Sequence, residues 1–134
     1  MMDDLSLATL LEHIIERLAA APAKSQDPWR TPALATLDTQ GLPTLRTVVL
    51  RDYRERCLEF HTDTRSAKWN ELSKIRQAAW CFWDPETKEQ LRIQGECTLH
   101  HQDAISQEAW KQLPAHTQAS YSVDSAPKTS IQDA

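Results

Sequence analysis

Ser66 and Lys68 stand two residues apart at the start of a helical pattern in "FHTDTRSAKWNEL" (60–72), with Arg65 just ahead of them. A helix N-terminus already carries partial positive charge, so cations are disfavoured there unless an anion shares the site. The same N-terminus offers backbone N–H groups that lack a partner within the helix. Adding the Ser66 hydroxyl and the Lys68 ammonium gives a donor set suited to a phosphate. Further polar groups lie at the ends of extended runs. Arg46 opens and Arg51 closes "RTVVLR" (46–51), Thr62 closes "CLEFHT" (57–62), and Gln90 and Arg92 share one face of an alternating run. Arg46 can bind two oxygens at once, whereas Lys68 acts as a point charge. Each of these residues alone reads as an ordinary solvated turn or edge residue; the set together points to a phosphorylated ligand.

Other chemistries find less support. His13, His61, His100, His101 and His116 show no metal-ligand spacing with a carboxylate or cysteine, so no metal site is expected. There is no Ser in a G-x-S-x-G setting, which argues against nucleophilic hydrolysis. The 134 residues hold two glycines, Gly41 and Gly95, too few for a glycine-rich dinucleotide loop or P-loop. A net charge of −4 implies no broad basic face and no nucleic-acid partner. Cys57, Cys81 and Cys97 lie far apart inside apolar runs and read as reduced, buried thiols. The acidic start "MMDDLSLATL" is no signal peptide, and no apolar run approaches the ~18 residues of a membrane span. A cytoplasmic protein without membrane association is expected.

The elements that must position the donors follow from periodicity. Leu7, Leu10, Leu11, Ile14, Ile15 and Leu18 recur at helical spacing over 5–21, and Pro22 ends that helix. A polar loop is expected over 23–32. From Ala33 the period becomes two. Strands are predicted over 33–37, 45–51, 57–62, 78–83 and 90–99, with a helix over 66–75 and another over 104–113. "DTQGLP" (38–43) reads as a hairpin turn with Gly41 at positive φ, and 52–56 as a charged turn. Apolar side chains occupy both faces of 45–51, which a dimer interface would cover. The pattern predicts one mainly β domain over 1–122, an antiparallel small barrel with flanking helices, and a polar tail over 123–134 that frays. Trp69, Trp80, Phe82, Trp83 and Trp110 sit in apolar patterns and are expected in core or dimer packing rather than on a cofactor ring.

Three blocks in order, "RTVVLR" (46–51), "FHTDTRSAK" (60–68) and "KEQLRIQGE" (88–96), resemble the pyridoxamine 5′-phosphate oxidase-like flavoproteins. The likeness runs over roughly 33–99, and the "TD-x-RS-x-K" and "EQ-x-R-x-x-G" forms are closest to a poorly characterised branch rather than to the oxidase itself. The resemblance implies an antiparallel FMN-binding split β-barrel acting as a homodimer, with FMN held between subunits. It implies that Arg46 and Lys68 bind the FMN phosphate with Ser66 beside them. Thr47, Val48, Val49 and Leu50 would run along the flavin edge through their backbone. His61 and Thr62 would contact the flavin, and Gln90 would reach it from across the dimer. Arg51 falls where the oxidase has a lysine that helps hold the substrate phosphate. Arg65 matches the R-S-x-K branch, whereas the oxidase has its arginine directly before the lysine, at the place of Ala67. The oxidase's substrate-binding tyrosine and arginine would fall near Ala109–Trp110 and Leu113, and neither is present. The sequence also ends ahead of the segment in which the oxidase carries a tryptophan and an arginine near flavin and substrate. The implied function is an FMN-dependent oxidoreductase with a different, unknown substrate; the alternative is a non-catalytic module binding FMN, haem or F420.

Overall fold

The structure, a computed structural model, describes residues 4–113. The expected tail over 123–134 and His116 lie outside the described residues. Helix α1 (Asp4–Ala20) runs into a 3-10 turn, Ala21–Ala23, where Pro22 cannot continue the α-helical bonding. The strands are β1 (Ala33–Leu37), β2 (Pro43–Thr47), β3 (Asp52–Arg54), β4 (Cys57–Glu59), β5 (Gln77–Asp84) and β6 (Glu89–Glu96). Helix α2 (Ala67–Lys74) precedes β5, and α3 (Ala104–Gln112) follows β6. One sheet has the order β2-β1-β5-β6, and β3 and β4 form a separate two-stranded sheet. Strands β1 and β5 pair antiparallel, with Leu34 opposite Trp80, and Tyr53 of β3 lies opposite Leu58 of β4. Among the described residues the architecture is mainly antiparallel sheet with three α-helices, and the strands close no barrel.

The chain divides into two compact units. The first comprises residues 4–35, 44–61 and 79–94. Its core includes Leu18, Trp29, Leu34, Val48, Leu50, Trp80 and Phe82, all buried. Alternation along β5 turns Trp80 and Phe82 inward and leaves Trp83 47% exposed. Phe82 lies against Trp29 with ring centroids 5.6 Å apart, and Phe60 meets the edge of Trp80 at 5.4 Å. Trp29 corrects the reading of 23–32 as a polar loop. Asp27 caps a turn over 28–30 by accepting the Trp29 N–H at 2.9 Å, and Pro28 pre-sets its backbone, so the indole is driven into the core.

The second unit comprises residues 36–43, 62–78 and 95–113. Gly41 has φ +81°, as the hairpin turn requires, and Asp38 closes that turn by accepting the N–H groups of Gln40 and Leu42. Leu72 of α2 is fully buried, and the buried Thr36 hydroxyl donates to Glu71 Oε1 at 2.6 Å. These two contacts fix the face that α2 turns inward. Asp103 caps α3 in a reciprocal box with Ser106. Its carboxyl is pulled down to about 2, first by the Ser106 N–H and then by His100.

Several expected boundaries moved. The predicted strand over 45–51 is β2 at Pro43–Thr47 followed by a run outside the sheet. The predicted charged turn over 52–56 is instead β3 and a two-residue turn, with Glu55 and Arg56 at φ +52° and +64°. Such turns ordinarily advertise themselves by Asn or Gly, and neither is present here. On α1, Leu18 is buried, but Leu7 and Leu11 are 52% and 55% exposed, so most of the expected apolar face is not covered within this unit. Cys57 is exposed and Cys81 and Cys97 are half-buried, which corrects the reading of three buried thiols.

Candidate functional site

Helix α2 begins where the polar cluster predicted. Ser66 has extended backbone geometry, and its hydroxyl accepts the Trp69 N–H at 3.4 Å, the N-cap arrangement. Ser66 is only 5% exposed, and its Oγ lies 2.8 Å from Thr62 Oγ1. The Ser66 N–H donates to the Asp63 carbonyl at 2.9 Å. Lys68 is the second residue of the helix and is half-buried. Thr62, Ser66 and Lys68 are therefore gathered at one helix start.

Arg65 lies outside the helix, paired with Asp63. Its Nε donates to Asp63 Oδ1 at 2.9 Å, its Nη2 donates to Oδ2, and its backbone N–H donates to Oδ1 at 2.8 Å. Those bonds hold the Asp63 carboxyl below the usual range; burial opposes the shift, and the Lys68 charge adds to it. One of the two unexpected cations thus has an anion from its own turn. Asp63 was missed as a functional residue, although an Asp two places ahead of an Arg is a recognisable side-chain-to-backbone turn signal.

The other predicted residues belong to the first unit. Arg46 on β2 donates from Nη1 to the Leu34 carbonyl at 3.1 Å and from Nη2 to Thr44 Oγ1 at 2.8 Å. Thr47 ends β2 and is exposed. The Val48 N–H donates to Pro32 O at 3.0 Å and the Leu50 N–H to Arg30 O at 2.7 Å. Two alternate amides thus face the 30–32 turn. The Arg51 N–H donates to Glu59 O at 2.8 Å, His61 Nε2 lies 3.2 Å from Glu59 Oε2, and Gln90 stands exposed on β6.

The first unit also holds a polar cluster that periodicity did not suggest. Arg17 binds Asp27 at 2.8 Å, Asp84 at 2.6 Å and Glu89 at 2.9 Å, with its guanidinium carbon 4.3 Å from the Trp29 ring centroid. The Asp-Pro pairs at 27–28 and 84–85 were the available signal, since both mark turn starts. Cys97 is a poor redox candidate, because burial raises its thiol pKa and the Glu96 charge adds to the effect. Among the described residues no group of three or more His, Cys, Asp or Glu could hold a metal ion, and no helix is long and apolar enough to cross a membrane.

Ser66→Ala removes the α2 cap and the partner of Thr62 while leaving the helix composition favourable. We expect a loss of about 1 kcal/mol in urea unfolding, within the range for N-cap substitutions. An unchanged midpoint and slope would mean that the 3.4 Å cap bond contributes nothing to stability.

Comparison with known proteins places these residues in a family context. The sequence model of the pyridoxamine 5′-phosphate oxidase FMN-binding domain matches residues 8–101. A pyridoxine/pyridoxamine 5′-phosphate oxidase of Chromohalobacter salexigens is 44% identical over 62 residues, which cover 46% of this chain and 29% of that protein. The corresponding Brucella canis oxidase is 38% identical over 76 residues, covering 57% of this chain and 37% of that protein. The chain therefore matches only about a third of the length of these curated relatives. Among solved structures, a pyridoxamine 5′-phosphate oxidase-related, FMN-binding protein of Nostoc punctiforme superposes with a TM-score of 0.71 at 29% identity, covering 90% of this chain and 65% of that one. All three sequence blocks carrying Arg46, Ser66, Lys68 and Gln90 fall inside the matched span, and the chain belongs to the pyridoxamine 5′-phosphate oxidase FMN-binding-domain family.

Proposed function

We propose that this chain is an FMN-binding split barrel that works as a homodimeric oxidoreductase. The observation that carries the reading is the start of α2. A nearly buried hydroxyl, Ser66, and a first-turn cation, Lys68, stand there inside the span matched by an FMN-binding family model. That donor set fits a phosphomonoester. Lys68, Ser66 and Arg46 would hold the FMN phosphate, with Arg65 in the same turn. Thr47, Val48, Val49 and Leu50 would pass along the flavin through their backbone. His61, Thr62 and Gln90 would contact the ring or ribityl chain, and Arg51 would face the substrate. When bound, FMN supplies electron transfer through its isoalloxazine ring. The residues of this chain bind and orient it, and no acid or base among them is assigned.

The dimer is supported by apolar surface exposed among the described residues. Leu45 is 71% exposed, and Leu7, Leu11 and Trp83 are also exposed. The substrate is proposed to differ from pyridoxine phosphate, because Ala109, Trp110 and Leu113 stand where the resemblance would require a tyrosine and an arginine. The three free thiols favour a reducing, cytoplasmic setting.

Purified protein is expected to be yellow, with a flavin band at about 450 nm and roughly one FMN per subunit, as the cofactor's chemistry dictates. Colourless protein that ignores added FMN overturns the reading. A yellow protein that NADH, NADPH and candidate amines fail to bleach without oxygen is a carrier, and colourless protein that takes up haem or F420 instead points to a different cofactor on the same barrel.

A further inference from the structure

The Asp63–Arg65 pair carries an inference that rests on the FMN reading. A carboxylate at a phosphate cradle is an unfavourable neighbour, since it repels the ligand and lowers the local positive potential. Asp63 nevertheless sits in the turn that leads into α2, with its side chain only 7% exposed. It accepts three N–H groups from Arg65, two from the guanidinium and one from the backbone. Arg65, at 37% side-chain exposure, is the more open partner. The pair is also close enough to the first helical turn for Asp63 to feel the charge of Lys68.

We propose that Asp63 is the resident counter-ion of this cradle: it cancels Arg65 locally, so that the pair brings no net charge to the phosphate site. Arg65 then shields the ligand from Asp63 rather than gripping the ligand itself. Their balance then keeps the preference for a phosphorylated flavin over riboflavin, which has the same ring and ribityl chain without the phosphate, and loss of either charge alone shifts that preference. This makes Arg65 a positioning residue and separates it from Lys68 and Ser66.

The two roles make opposite predictions for a double substitution. Removing Arg65 alone leaves an uncompensated carboxylate beside the phosphate. Removing both charges restores electroneutrality, and an asparagine side chain in place of the carboxylate can still accept the backbone N–H of residue 65. The experiment is a fluorescence titration of the full chain with FMN and with riboflavin, for wild type, Arg65→Gln, Asp63→Asn and the double variant. Arg65→Gln is expected to weaken FMN roughly 10-fold, in the range of couplings between neighbouring charges. Riboflavin affinity, which also reports that the fold is intact, should stay within about 2-fold, because it lacks the charge that Asp63 repels. Asp63→Asn should tighten FMN, and the double variant should return to within about 3-fold of wild type, since the paired charges are removed together. A double variant as weak as Arg65→Gln, or equal losses of FMN and riboflavin, overturns the proposal while leaving the FMN reading intact. Wild-type protein that binds neither flavin overturns the FMN reading and this inference with it.

Discussion

Arg17→Ala should lower folding stability by about 3 kcal/mol, toward the lower end of what loss of one partner costs a buried ionic cluster. Three carboxylates converge on this guanidinium. The side chains of Asp27 and Asp84 are 13% and 8% exposed, Arg17 itself is 14% exposed, and Glu89 forms the more open rim at 35%. These exposures set the cluster apart from surface pairs, which contribute about 0–1 kcal/mol. The planar fork reaches several oxygens at once, and its face lies over Trp29. Alanine leaves like charges facing one another and removes the guanidinium that covers the indole. Arg17→Lys keeps the charge but not the fork, so it should recover only part of the loss. Urea unfolding followed by circular dichroism is the measurement. A drop of under about 1 kcal/mol would place the cluster with ordinary surface pairs.

The same cluster gives the pH response its sign. For Asp27, burial pushes the carboxyl up, but the bonds from Arg17 prevail and hold it below the usual range. For Asp84 the Arg17 bond is the leading cause of a downward shift. For Glu89, burial again opposes, and the bonds from His13 and Thr87 carry it down. Groups with depressed folded-state values add stability that is complete above the unfolded carboxylate values of about 4 and is lost as pH falls through the folded ones. In Arg17→Ala the three acids repel instead, so protonation relieves them. The stability gap between wild type and variant should therefore narrow as the solution is acidified below about pH 4.

What the sequence made legible was local. The Gly41 turn, the Ser66 helix start, the alternation at the start of β6 and the end of α1 at Pro22 each depend on a few neighbouring residues, and each is found close to its expected place. What it hid was either non-local or chemically unannounced. The Arg17 cluster joins positions 17, 27, 84 and 89, which no periodicity relates. Trp29 sits between Pro28 and Arg30 in a stretch whose composition is that of a loop, and its burial follows from a capped turn rather than from a pattern. The 55–56 turn uses Glu and Arg at positive φ. On α1 the sequence correctly marked an apolar stripe, yet a stripe does not say how much of it is buried; Leu7 and Leu11 stay more than half exposed. For the site, residue types and spacing indicated Ser66 and Lys68, while the partner chosen by Arg65 depended on which carboxylate the turn brought within reach.

Lys68→Ala and Arg46→Ala are each expected to weaken FMN binding by about 1.5–3 kcal/mol, the range for hydrogen bonds to charged groups. That corresponds to roughly 10- to 150-fold in the dissociation constant. The two should differ in what they do to the free protein. Arg46 is already held by the Leu34 carbonyl and Thr44 Oγ1, so its guanidinium is preorganised and its removal also costs structural bonds. Lys68 stands in the first turn of α2, where the helix dipole disfavours a cation and alanine is the better helix former. Attraction from Asp63 offsets part of that penalty without changing its origin. Lys68→Ala should therefore leave the cofactor-free protein as stable as wild type or slightly more so, while its FMN affinity falls. Such opposite movement is the mark of a residue kept for a ligand rather than for the fold. Flavin fluorescence titration and urea unfolding of cofactor-free protein read the two effects separately. Unchanged FMN affinity in both variants would place the phosphate elsewhere on the chain, and a Lys68→Ala protein that loses stability and FMN affinity together would make Lys68 a structural residue.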